Sequence, residues 1–142
     1  GLFAKSLGIQ SPRIAVAGLN PHAGELGTIG KEEFQVIIPC IEQLKKEGTP
    51  IVGPLPADTL FYRAYQEEFD VVVALYHDQG LIPIKLIDFE EAVNVTVGLP
   101  FVRTSPDHGV AFDIAYQGKA SRSSFMAAIK LARRLVESNA AT

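Results

Sequence analysis

Cysteine is nearly absent: the 142-residue chain contains one, Cys40. An internal disulfide is therefore excluded. The place of that thiol in the apolar run from Val36 to Ile41 predicts a buried, inert side chain compatible with a reducing compartment. A basic excess is lacking too. Thirteen Lys and Arg against sixteen Asp and Glu leave a net charge of −3. The scattered basic residues form none of the clusters that phosphate neutralisation demands, which argues against a nucleic-acid partner. No apolar run approaches the roughly 20 residues of a membrane span. Nothing ahead of the first strand candidate has the pattern of a signal peptide, so no membrane partner and a cytoplasmic location are expected. Repeats, low-complexity tracts and linkers are also missing. The remaining composition, 47% hydrophobic and 20% charged, suits a folded domain with a real core.

The longest candidate for a buried strand is Val71 to Leu75, which stops at Tyr76-His77-Asp78-Gln79-Gly80. Arg13 to Gly18 is a second, opening into Leu19-Asn20-Pro21-His22-Ala23-Gly24-Glu25. Between them, Glu32 and Glu33 open an amphipathic helix. Phe34, Ile37, Ile38, Ile41 and Leu44 fall at helical spacing, Pro39 bends it and Gly48 stops it. Ile51-Val52 is a minimal strand before the stiff turn Gly53-Pro54-Leu55-Pro56, and Ala57-Asp58-Thr59 starts a helix. Leu81 to Ile87 is ambiguous between strand and helix because of Pro83. Ala92 to Leu99 alternates as a strand with Asn94 and Thr96 on one face. Ser105 to Gly109 reads as a turn, and a helix follows from about Ser123. The alternation of strands and helices predicts an α/β fold, a mainly parallel sheet flanked by helices. Leu2 to Gly8 has the look of the last turns of a helix closed by glycine, so the chain is expected to begin inside a larger protein. The expected division is an α/β region over 1–115 and a C-terminal helical segment over 116–142.

In open α/β sheets, ligands bind beyond the carboxyl ends of the strands, and His22 and His77 each follow a buried-strand candidate. A loop histidine more often serves as a surface or hydrogen-bonded residue than as a metal ligand. Imidazoles do suit divalent cations, but a catalytic site normally needs about three protein ligands. On spacing the third is expected outside this chain, since His108 lies in a differently built turn. Lys85, Asn94 and Arg103 are polar residues in or beside apolar segments. Either they snorkel to water or they jointly clamp a phosphate or carboxylate. Asp58 and Asp78 have simpler explanations as a helix-start carboxylate and a turn residue, though either can orient a metal-bound histidine from behind. Glu32, Glu33, Lys45 and Lys46 are expected to be solvated helix ends without function.

Five stretches carry a resemblance. Gly18 to Glu25, Gly53 to Thr59, Tyr76 to Gly80, Val93 to Ser105 and Asp107-His108-Gly109, taken in order, resemble the C-terminal part of the 4-hydroxythreonine-4-phosphate dehydrogenase family of pyridoxal phosphate biosynthesis. The resemblance implies an NAD- or NADP-dependent homodimer whose site is shared across the interface. It also implies a divalent metal (Zn, Mg or Co) with His22 and His77 as two of three histidine ligands. Lys85, Asn94 and Arg103 then become the substrate-binding trio. The stretch from Asp107 to Ala115 is also similar to the cofactor loop of isocitrate and isopropylmalate dehydrogenases, which assigns His108 and Gly109 to the cofactor. Val110 stands where those families carry Thr or Ser. The implied reaction is metal-assisted oxidation of 4-phosphohydroxy-L-threonine followed by decarboxylation. Two alternatives are a paralogue acting on threonate or erythronate 4-phosphate, and a ligand-binding fragment that is catalytically silent.

Overall fold

Four apolar residues, two of them alanine, form the middle strand. β1 (Ile14–Ala17) pairs in parallel with β2 (Ile51–Leu55) on one side and with β3 (Val71–Val73) on the other, giving the order β2-β1-β3. This computed structural model describes residues 2–140, which divide into two compact units. The first is Ile9–Pro83; the second joins Leu2–Gly8 to the residues from Ile84 onward.

In the first unit, the alternation of β1 sends its side chains to two cores. Ala15 and Ala17 are completely buried against Leu60 of α3 (Ala57–Tyr65), with Phe69 and Val72 at the margin. Two methyl side chains let that helix approach closely. Val16 faces the other way, onto Ile51 and onto Ile41 of α2 (Ile38–Lys46). Helices therefore cover both faces of a parallel sheet, as the alternating pattern predicts. The helix leading into α2 begins as a π-helical run over Glu33–Ile37, and Pro39, which has no N–H to give, lies in the first turn of α2. A bidentate pair between Arg13 and Asp70 (2.9 and 3.0 Å) ties the starts of β1 and β3, reinforced by the Arg13 N–H donating to Asp70 at 2.7 Å.

The second unit is built on an antiparallel hairpin, β4 (Val93–Thr96) with β5 (Arg103–Pro106), backed by α5 (Ser123–Ala140). Ser124, Ala128 and Leu135 are buried, and Thr104 donates to the Ala128 carbonyl at 2.9 Å. The short helix α1 (Leu2–Ser6) also contacts α5, where Arg134 donates to the Leu7 carbonyl. Among the described residues, no helix is long and apolar enough to cross a membrane.

Several local expectations change. β3 is an edge strand and is only half-buried, because among the described residues its outer side has no neighbour in the sheet. β2 runs through Gly53-Pro54 to Leu55, where a turn is expected. Ser105 and Pro106 belong to β5 rather than to a turn. His77 to Ile87 is one helix, α4, with Pro83 inside it. Cys40 is exposed, since it lies off the stripe formed by Ile37, Ile41 and Leu44.

Candidate functional site

The strand order reverses at β1: the chain leaves it for β2 on one side, then returns past it to β3 on the other. Ligand crevices of open parallel sheets form at such a reversal, beyond the carboxyl ends of the strands. His22 follows β1 there and His77 follows β3. Both are exposed.

The link between these two strand ends is Gln79, a buried amide in the first turn of α4. Its Nε2 donates to the Gly18 carbonyl at 2.7 Å, and its Oε1 accepts the Leu75 N–H at 2.7 Å. One side chain thus satisfies a backbone group at each of the two strand ends that precede the histidines. The ring Nδ1 of His77 lies 2.8 Å from Asp78 Oδ1. A hydrogen bond there leaves Nε2 pointing elsewhere as an acceptor, the arrangement metal-bound imidazoles use. Asp58 is exposed at the start of α3, as expected of a helix-start carboxylate.

The His22 loop is strained. Five successive residues, His22 to Leu26, have φ between 41° and 79°, and four of them are not glycine. Left-handed backbone costs L-residues roughly 1–2 kcal/mol each, so surrounding contacts must hold it. Gly18 and Gly24 make those contacts possible. A Cβ on Gly18 would come within 2.8 Å of Ala23 Cα, and one on Gly24 within 2.7 Å of Glu33 Oε2.

Glu33, expected to be a solvated helix end, is 1% exposed. Its Oε1 accepts the Asn20 backbone N–H at 2.7 Å and its Oε2 accepts the Asn20 side-chain amide at 2.8 Å. Burial works against its charge, but the backbone and side-chain amides of Asn20 outweigh that, and the carboxyl is held below its usual range. The same Asn20 amide donates to Glu32 at 2.8 Å. The signal for Glu33 was in the periodicity: it stands four, eight and eleven residues before Ile37, Ile41 and Leu44, on the face that buries them. Gln79 had no such signal.

In the second unit, the pairing of Thr96 with Arg103 and of Asn94 with Ser105 puts all four on one face of the hairpin. Arg103 Nη1 donates to Thr96 Oγ1 at 2.7 Å; Arg103 and Asn94 are both exposed. Lys85 has its partner within the second unit. It is half-buried, paired with Asp107 Oδ2 at 2.9 Å, hydrogen-bonded to the Asp107 carbonyl, and 5.1 Å from the centre of the Phe89 ring. Asp107 is in turn held through its N–H by Ser124, whose buried hydroxyl donates to the Ala92 carbonyl. His108 and Gly109 line a cavity of about 540 Å³, walled also by Phe89, Ala111, Tyr116 and Ser124.

Among the described residues, no three His, Cys, Asp or Glu side chains converge as a metal cluster. The donor chemistry of the first unit nevertheless fits part of a cation site: two imidazoles beyond adjacent parallel strands, one of them backed by a carboxylate.

Helices on both faces of a parallel sheet, with the candidate site where the strand order turns back, define an α/β protein of the open-sheet class, in which ligand crevices form at the carboxyl edge. Residues 2–132 match the family model for pyridoxal phosphate biosynthetic protein PdxA, and the chain belongs to that family. It is 54% identical over 140 residues to the 4-hydroxythreonine-4-phosphate dehydrogenase of Xanthobacter autotrophicus, covering 99% of this chain and 40% of that protein. It is 53% identical over 134 residues to the D-threonate 4-phosphate dehydrogenase of Pectobacterium atrosepticum, covering 94% and 41%. The crystal structure of 4-hydroxythreonine-4-phosphate dehydrogenase from Klebsiella pneumoniae superposes with a TM-score of 0.83 at 49% identity, covering 94% of this chain and 40% of that one. The chain thus spans about 40% of the length of these relatives.

Proposed function

We propose that this chain supplies metal- and substrate-binding residues to an NAD-dependent dehydrogenase that oxidises 4-phosphohydroxy-L-threonine, with decarboxylation of the product. The observation that carries the reading is the Gln79 link, which joins the two histidine-bearing strand ends at the reversal of strand order. His22 and His77 would hold a divalent cation through imidazole nitrogens, with Asp78 orienting the second ring. When bound, such a cation lowers the pKa of a coordinated hydroxyl and stabilises developing negative charge on oxygen.

The remaining work falls to the chain's own side chains. Arg103 offers a planar fork for two oxygens of a phosphate or carboxylate, and Asn94 adds an amide on the same face of the hairpin. Lys85 contributes its charge once an anion competes with Asp107, so Asp107 keeps the ammonium neutralised and oriented in the meantime. His108 and Gly109 border a largely apolar cavity large enough for part of a dinucleotide. A homodimer with a shared site is part of this proposal.

A paralogous substrate is the second reading, favoured by the relative named for D-threonate 4-phosphate. NAD reduction by the intact enzyme that carries this chain, assayed on 4-phosphohydroxy-L-threonine and on the 4-phosphates of D-threonate and D-erythronate, decides between them. The highest kcat/KM is expected for the first substrate. A higher value for either of the others establishes the paralogue, and no turnover with any of the three refutes the dehydrogenase assignment.

A further inference from the structure

Taking the metal reading of His22 as its premise, we infer that Glu33 is the positioning residue for that ligand: a buried carboxylate that holds the Asn20-Pro21-His22 loop in its left-handed form. Three features converge on it. A carboxylate is among the least readily buried groups and is kept inside a protein only when its oxygens are fully partnered. Glu33 is 1% exposed, and both of its oxygens are directed at one residue, Asn20, two positions before His22. The loop beyond Asn20 takes a backbone that side-chain-bearing residues avoid, over five consecutive positions that begin at His22 itself. Gly24, inside that run, lies beside the same carboxylate: a Cβ there would come within 2.7 Å of Glu33 Oε2, so a side chain at this position would displace the carboxylate oxygen. The carboxylate is therefore hydrogen-bonded to the loop before His22, at Asn20, and lies beside it after His22, at Gly24.

This arrangement has a chemical purpose that Glu32 does not share. Glu32 is exposed; it accepts from the Asn20 side-chain amide and the Lys31 N–H but not from the Asn20 backbone. Glu33 fixes the backbone of Asn20 as well as its side chain, and so sets the direction in which the chain leaves β1. Glutamine at this position keeps one acceptor for the Asn20 N–H but turns an N–H₂ toward the Asn20 amide, donor against donor.

The test is a double-mutant cycle on metal affinity, using Co²⁺ titrated into the metal-free intact enzyme and followed by its visible absorption. Glu33→Gln is expected to weaken Co²⁺ binding about 10- to 100-fold, the usual loss when a group that orients a ligand is removed. In a His22→Ala background the same change should add almost nothing, because the ligand it positions is gone; in a His77→Ala background it should still weaken binding. If Glu33→Gln does not yield folded protein, Glu33→Asp, which keeps the charge one methylene shorter, should give the same pattern at smaller size. A loss that is equal with and without His22, or no loss at all, overturns the positioning role. Undiminished Co²⁺ binding by His22→Ala alone instead overturns the metal reading, independently of Glu33.

Discussion

Single residues in this chain divide into those that hold strand ends and those that could meet a ligand, and the first group is the more buried. Asp70 belongs to it although it is near the surface. Hydrogen bonds from the Arg13 guanidinium, then from its backbone N–H, lower the Asp70 carboxyl from its ordinary 3.8 to about 2. A carboxylate whose pKa is lower folded than unfolded stabilises the fold above the unfolded value, and that contribution fades as pH falls through the folded one. Stability supplied by this pair should therefore be complete above about pH 4 and disappear toward pH 2. Asp70→Asn is expected to lower the melting temperature at neutral pH and to remove part of the decline between pH 4 and 2. Thermal denaturation of both proteins across that range checks it; parallel curves would show that another group governs the acid side. Gln79 is the buried counterpart. Gln79→Leu keeps the volume but leaves the Gly18 carbonyl and the Leu75 N–H without their partner, at about 1–3 kcal/mol for each group left unsatisfied. Chemical denaturation should show a loss of that order, and a near-neutral result would mean water replaces the amide.

At the level of elements, the parts that follow from periodicity were legible and the parts that follow from neighbours were not. β1 came from its short apolar run, because both of its faces are buried, and α5 and the β4 face bearing Asn94 and Thr96 came from apolar spacing, because each buries one side. That β3 is an edge, and so only half-buried, depends on strand order, which composition does not encode. The burial of Glu33 was encoded, by its place on the Ile37–Ile41–Leu44 stripe, but acidic character argued for solvent more loudly than spacing argued for the core. Lys85 shows the opposite limit. A cation in an apolar segment signalled an anion, and the anion in this structure is Asp107, twenty-two positions on and joined to it only by the fold. Arg103 is the better guide to substrate, since its hairpin face is open and its one side-chain partner, among the described residues, is a neutral hydroxyl. In the intact enzyme Arg103→Ala should raise the KM for the phosphorylated substrate roughly 10- to 100-fold, the worth of one or two charge-assisted hydrogen bonds, with little change in the KM for NAD. Equal losses for both would make Arg103 a structural residue of the hairpin.

The whole chain sets a different constraint. It spans about 40% of the length of relatives named as dehydrogenases. It offers two imidazoles at the proposed cation site, where catalytic metals are ordinarily held by about three protein ligands so that one position stays open for substrate. Among the described residues no third His, Cys, Asp or Glu completes the set. Cation affinity with two ligands falls well short of that with three, and an oxidation that depends on a metal-held hydroxyl falls with it. The 142-residue chain alone is therefore expected to give no NAD reduction with 4-phosphohydroxy-L-threonine in the presence of Zn²⁺, Mg²⁺ or Co²⁺, under conditions where the intact enzyme turns over. Absorbance of the reduced nicotinamide at saturating substrate measures both. Turnover by the chain alone would show that its own residues, or those of a second copy, complete the ligand set, and would move the search for the third ligand from the rest of the enzyme to the surface of this one.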